Sequence, residues 1–263
     1  MYRFCDHHIH CHHSFDADSS MVSMAEAAVS AGLGALCFSD HLEFEYEPWN
    51  QPFDPAARLA ELQRVQETIR IPLLHGVEIG LSPDPSHAHQ AWEYIRTSQP
   101  DFVIASVHVI GAEDVVESTY YTRHSREEAY EEYLSVIDAS IRTLPEFSVL
   151  GHYDFIAKFA PYTDRAVRYA DAPERFDSIF RYLAENGKGL EINTAVWRDT
   201  PAWGLDVLTR FAQLGGEFVT FGSDAHRPGQ VGQRFGEAVS LVQAAGIRYT
   251  ATFRNRIPTY TKL

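Results

Sequence analysis

Residues 4–19 read FCDHHIHCHHSFDADS, a strand-like opening that runs into five of the chain's thirteen histidines and three aspartates. Side chains of a strand alternate between its two faces. In DHHIH, His8 and His10 are therefore expected to face one way, with His7 and Ile9 facing the other. An HxH pair at a strand end makes a two-pronged metal grip. Asp16 follows in the next loop, which can fold it back toward the pair.

Short apolar, β-rich runs recur beyond this opening. After YRFC (2–5) come ALCFS (35–39), PLLHGVEI (72–79), DFVIASVHV (101–109), FSVLGH (147–152), GLEIN (189–193) and EFVTFGSD (217–224), with IRYTATF (247–253) a weaker eighth. Helical stretches fall between them. Ser23 with Glu26 and Ser125 with Glu128 have the capping-box spacing, in which serine and glutamate satisfy each other's backbone amides. Further helices are expected at 55–70, 173–186, 205–214 and 231–245, and Gly187 and Gly215 sit where C-terminal caps belong. PDPSHAH (83–89) and LEFEYEPWNQPFD (42–54) read as long loops, so His87 and His89 repeat the HxH spacing without a strand to aim them.

Strand alternating with helix implies a parallel α/β architecture, and the polar residues choose between its two forms. At the carboxyl ends of six strands stand His8 and His10, Asp40 and His41, Glu78, His108, His152, and Asp224 with His226. An open sheet gathers ligands at one switch point, whereas a barrel converges every strand end on one mouth. The expected fold is a TIM-like α/β barrel with its metal site at the C-terminal mouth. With no linker or low-complexity tract, residues 1–263 are read as a single domain.

Composition narrows the partners. Lysine and arginine total 22 against 36 acids, a net charge of −14, which disfavours a broad grip on nucleic acid. Three cysteines without regular spacing argue for a reducing compartment rather than a disulfide framework. The N-terminus lacks the basic and apolar regions of a signal peptide, and no apolar run approaches a membrane span. A soluble, cytoplasmic protein acting on a small molecule is expected, with no nucleic acid and no membrane.

Imidazoles with a few carboxylates suit zinc, iron(II) or manganese rather than magnesium or calcium. Nine candidate ligands, His8, His10, Asp16, His41, Glu78, His108, His152, Asp224 and His226, exceed one ion and suit three divalent transition-metal ions that share a carboxylate. Metals at such spacing activate water and clamp a phosphoryl group, so phosphate-ester hydrolysis is the expected reaction. No nucleophilic serine or cysteine is required, and Cys11 reads as packed beside the site. Glu78, Asp224 and His226 are the residues expected to carry the chemistry. Asp40 and Glu191 are expected to orient ligand histidines through their free ring nitrogens.

In order, HxH, SDH, GVE, SVH, GH and GSDAH resemble the PHP (polymerase and histidinol phosphatase) family over nearly the whole chain. GHYDFIAKF (151–159), EINTAVWR (191–198), GSDAHRPGQVG (222–232) and FRNRIP (253–258) narrow the resemblance to the histidinol-phosphatase branch. It implies a distorted (β/α)7 barrel and a trinuclear centre. One ion would take His8, His10, Glu78 and Asp224. A second would take His108 and His152 and share Glu78, and the third Asp16, His41 and His226. Close relatives often have histidine where Asp16 stands, a departure that bears on the third ion's identity. Arg198 and Lys158 match positions that contact substrate phosphate, with Arg227 a weaker candidate. The implied substrate is L-histidinol phosphate. The alternatives are another small phosphate or nucleotide, an exonuclease disfavoured by the charge, and a non-catalytic metal-binding scaffold.

Overall fold

The structure, a computed structural model, describes residues 4–111, 113–196 and 203–263. Seven strands pair in parallel in chain order: β1 (Cys5–Ile9), β2 (Ala35–Phe38), β3 (Leu73–Gly80), β4 (Phe102–Ser106), β5 (Val149–Leu150), β6 (Gly189–Asn193) and β7 (Phe218–Gly222). Asp6 on β1 pairs with Phe221 on β7, and that contact closes the barrel. A helix follows each strand and covers the outside: α1 (Met21–Ser30), α2 (Pro55–Gln66), α3 (Pro85–Ser98), α4 (Arg126–Ser140), α5 (Pro173–Glu185), α6 (Leu205–Gln213) and α7 (Phe235–Ala244). Helix α5 shows why these segments are helical. Phe176, Ile179, Phe180 and Leu183 fall on one face at 3.6-residue periodicity, and all are buried against the barrel.

The barrel has an outer and an inner core. Ile9, Val77, Ile79, Val103 and Ala105 point outward into the large core shared with the helices. Cys5, Cys37, Leu74, Phe102, Ile104, Val149, Phe218 and Phe253 form a smaller inner plug at the N-terminal end. Each strand therefore alternates between two buried environments, which explains its nearly unbroken apolar sequence.

Several sequence expectations change here. The first strand begins at Cys5, so the HxH histidines start within it. Its register with β2 shifts between Asp6 and Ile9. The His7 ring consequently turns into the inner plug, with its centroid 4.9 Å from that of Phe102, while Ile9 joins the outer core. His7 and Ile9 do not share a side, because the bulge breaks the alternation. The cap of α1 is Ser20, which accepts the Ser23 N–H, and not Ser23 with Glu26. Ser125 and Glu128 do form the capping box on α4. PDPSHAH opens α3 rather than a loop: Asp84 caps it and Pro85 begins it, an N-terminal pairing that outweighs the local proline and serine content. The helix expected at 55–70 ends at Gln66, and the last helix starts at Phe235 after a short 3₁₀ turn at Pro228–Gln230. The weak eighth run is a strand, β8 (Tyr249–Arg254). It extends β7 and then folds back as β9 (Ile257–Lys262) through Asn255 and Arg256, both at positive φ, outside the closed barrel.

Candidate metal centre

Glu78 points from β3 into the mouth, fully buried, and its two oxygens face different partners. Oε1 lies 3.0 Å from His152 Nε2 and 3.3 Å from His108 Nε2, and it accepts the Ser106 hydroxyl at 2.7 Å. Oε2 lies 3.0 Å from His8 Nε2, 3.6 Å from His10 Nε2 and 3.0 Å from His41 Nδ1. Asp224 follows β7 in the left-handed region at φ 51°. That conformation is unusual for a residue with a side chain, and it turns Oδ1 to 3.2 Å from His10 Nε2. Asp16 returns from the β1–α1 loop to place Oδ2 2.9 Å from His226 Nε2 and 3.5 Å from His41 Nε2. The rings of His41 and His226 stack on His10 at 4.3 Å each. All nine expected ligands thus meet in one cluster.

Metal fit can be judged from the donors themselves. A tetrahedral ion bound at about 2.0–2.1 Å holds its ligand atoms roughly 3.3 Å apart. The Glu78 and Asp224 contacts above scatter about that value. His8 Nε2, His10 Nε2, His41 Nδ1 and Glu78 Oε2 are buried without a hydrogen-bond partner, which would be costly unless a cation met them. The surrounding groups also fix which ring nitrogen is free. His8 Nδ1–H donates to Glu191 at 2.6 Å, His108 Nδ1–H to Glu43 at 2.8 Å and His226 Nδ1–H to the Asp224 carbonyl at 3.0 Å. Ser14 gives its hydroxyl proton to Asp40 at 3.2 Å, so it accepts the His10 Nδ1–H at 3.0 Å. In these four histidines the Nε2 lone pair is left facing the centre.

Charge points the same way. Asp16, Glu43, Glu78, Glu191 and Asp224 crowd the mouth, and among the described residues Lys158, 3.4 Å from Asp224 Oδ2, is the permanent cation in contact with them. Burial raises the Glu78 carboxyl, but His8, His41 and His108 outweigh it and hold the group well below the usual range. Burial lowers His108, yet Glu43 and then Glu78 push it up to about 9. For His10 burial wins, reinforced by His41 and His226, and the ring falls to about 4. A site that so favours positive charge is suited to divalent cations.

Around the centre, Glu191 supports His8 directly, as its sequence position suggests. Asp40 acts at one remove, through Ser14. Arg58, wholly buried on α2, holds Asp40 Oδ2 at 2.6 Å, His75 Nδ1 at 2.8 Å and the Phe38 carbonyl at 2.8 Å. Ser14, Glu43 and Arg58 were not legible as site residues: a serine after a histidine pair, one acid in an acidic loop and an arginine in a helix carry no spacing signal. Glycine makes room for two of these supports. A Cβ on Gly222 would strike Glu191 and His8, and one on Gly80 would strike Glu43.

A cavity of about 250 Å³ opens above the centre, lined in part by His41, His108, His152, Asp224, His226, Phe15, Trp49, Phe155 and Lys158. Lys158 therefore stands at the mouth. Arg198 lies outside the described residues, and Arg227 is exposed. His89 stacks on Trp92 on the surface of α3, away from the mouth.

Comparison with known proteins gives four concordant findings. The PHP domain family matches residues 6–195. Histidinol-phosphatase of Lactococcus lactis subsp. lactis is 32% identical over 94% of this chain and 93% of its own length. "Probable histidinol-phosphatase" of Deinococcus radiodurans is 31% identical over 96% of this chain and 97% of its own length. The crystal structure of histidinol phosphate phosphatase from Lactococcus lactis, complexed with zinc, L-histidinol and phosphate, superposes with a TM-score of 0.91. It covers 98% of this chain and 100% of that chain at 30% identity.

Proposed function

The chain belongs to the PHP domain family, and from that membership we propose that it is a histidinol-phosphatase, a phosphomonoesterase releasing L-histidinol and phosphate from L-histidinol phosphate. The observation that carries the reading is Glu78, whose two oxygens divide between two groups of inward-facing imidazoles in a chain so similar to a phosphatase that binds zinc, L-histidinol and phosphate.

His8, His10, Glu78 and Asp224 would hold one ion, His108 and His152 a second that shares Glu78, and Asp16, His41 and His226 a third, with zinc, iron or manganese as the ions. When bound, such ions lower the pKa of a coordinated water and neutralise phosphoryl charge. The remaining work falls to the chain. Glu191, Glu43 and Ser14 keep the imidazoles in the tautomer that leaves Nε2 inward. Lys158 Nζ beside the cavity, and Arg198 as the second cation, bind and orient the phosphate. Asp224 Oδ2 accepts from Lys158 Nζ at 3.4 Å and so holds that ammonium at the mouth, while the ammonium in turn keeps the Asp224 carboxyl well below the usual range. Phe15, Trp49 and Phe155 wall the cavity against bulk water, which strengthens every charge contact inside it.

Residues 1–263 are taken as one unit. Three unpaired thiols fit a reducing, cytoplasmic setting, and no helix among the described residues is long and apolar enough to cross a membrane. The test is phosphate release by the metal-loaded protein against a panel of L-histidinol phosphate, nucleotides including 3′,5′-bisphosphates, and single-stranded DNA. Histidinol phosphate should give the highest kcat/KM. A higher value for a nucleotide or for DNA would move the protein to another branch of the family, and no release from any of them would leave a metal-binding scaffold.

A further inference from the structure

Outside the mouth, the geometry points to a separate metal site made by His12, His13 and Glu61, which we propose binds Zn²⁺. The Ser14 N–H bonds the Cys11 carbonyl at 2.8 Å, closing a turn whose central residues are His12 and His13. Adjacent side chains on a strand would diverge. On this turn the two rings lie together, with centroids 4.4 Å apart and planes 34° from parallel. Both present Nε2 to one oxygen, Glu61 Oε2 on α2, at 3.2 Å from His12 and 2.9 Å from His13. The three donors all lie within 4.8 Å of one another.

A hydrogen bond from His13 to Glu61 accounts for one of these contacts. His12, a 40% exposed imidazole, brings its Nε2 to 3.2 Å from the same oxygen, which has a lone pair left for it, so two imidazole nitrogens and a carboxylate oxygen converge at ligand spacing. A cation shared by two imidazole nitrogens and a carboxylate accounts for both. That donor set, with a position left open to solvent, prefers zinc and its neighbours to magnesium or calcium. The site is distinct from the nine-ligand centre and shares no residue with it.

Its place in the fold suggests what occupancy does. Glu61 and Arg58 are three residues apart on α2 and so lie on neighbouring parts of one face. Arg58 reaches inward to Asp40, while Glu61 meets the turn from outside. Ser14, the last residue of that turn, contacts His10 at 3.0 Å. An ion at this outer site would clamp the turn to α2, next to the groups that orient His10. The inference does not rest on the phosphatase reading.

The experiment uses the full chain with its own ions, dialysed against zinc-free buffer and then titrated with Zn²⁺. Bound zinc is counted by elemental analysis after gel filtration, and affinity is taken from calorimetry. Wild type should take up one equivalent more than the His12→Ala/His13→Ala variant, and Glu61→Gln should weaken that step roughly tenfold or more. A His87→Ala/His89→Ala control, which alters histidines elsewhere, should match wild type. Equal uptake at equal affinity by wild type and the His12/His13 variant would overturn the proposal. So would a matching loss in the His87/His89 control, because that marks scattered binding to surface histidines.

Discussion

The two ends of this barrel are built by the same strands to opposite specifications. At the N-terminal end Cys5, Leu74, Phe102, Val149 and Phe218 fill the interior with apolar side chains that satisfy one another. At the C-terminal end the next inward positions are His8, Glu78, Ser106 and Glu191, equally buried but polar and rich in negative charge. Strand β1 serves both, sending Cys5 and His7 into the plug and His8 into the mouth, where His10 follows just past its end. The plug has one polar exception, His7, whose two ring nitrogens are buried without a hydrogen-bond partner and whose charged form burial disfavours, lowering its pKa to about 3. The mouth leaves buried donor and acceptor atoms unpartnered, and a buried carboxylate is tolerable only with compensating charge. Stability should therefore reside at one end and ion-dependent function at the other, and substitutions can test that separation.

The largest effect is expected from Glu78→Gln, which keeps shape but removes the charge shared by two groups of imidazoles. Phosphatase activity should fall by several orders of magnitude with loss of metal, measured together on one preparation. A variant retaining both would break the contrast at its strongest point. Phe102→Ala probes the other end. Removing a buried phenyl ring should cost about 3–5 kcal/mol of unfolding free energy, read from denaturant titration, while the folded fraction keeps its metal. Loss of metal with the fold intact would show that the ends are not separable.

Smaller effects come from the supports. Glu191→Gln should weaken metal affinity roughly ten- to a hundredfold, as expected when the group orienting a ligand histidine loses its charge; competition with a chelator of known affinity measures this. Arg198→Ala should lower kcat/KM by a similar factor, from loss of a charge-assisted contact of about 1.5–3 kcal/mol. Metal content should stay unchanged, Arg198→Lys should recover only part, and inorganic phosphate should inhibit the Ala variant more weakly. An unchanged kcat/KM and unchanged phosphate inhibition would return Arg198 to an ordinary surface ion pair. His89→Ala, on α3 and far from the mouth, should leave activity close to wild type.

The barrel and its ligand cluster were legible because their signals are local and repeated. Each strand is a short apolar run, and six of the seven end in or next to a histidine or carboxylate, so the end of the sheet where ligands gather can be read without coordinates. What escaped depended on distance or on a single residue. The bulge in β1 that sends His7 into the plug goes with the way Asp6 accepts the N–H of nearby His8 and also those of Ser223 and Gly232, partners far away in the chain. The α1 cap moved to Ser20 because two serines three residues apart offer equivalent caps and tertiary packing selects one. Glu43 and Arg58 became site residues only once folding brought them to His108 and Asp40.

The central claim is that the mouth holds several ions joined by Glu78, and metal counting tests it most directly. Protein purified gently, without chelators, should contain two to three equivalents of zinc, iron or manganese per chain by elemental analysis, not counting any held by His12, His13 and Glu61, and activity should fall as they are withdrawn. A consistent content of one equivalent or less, with full activity retained, would contradict the account.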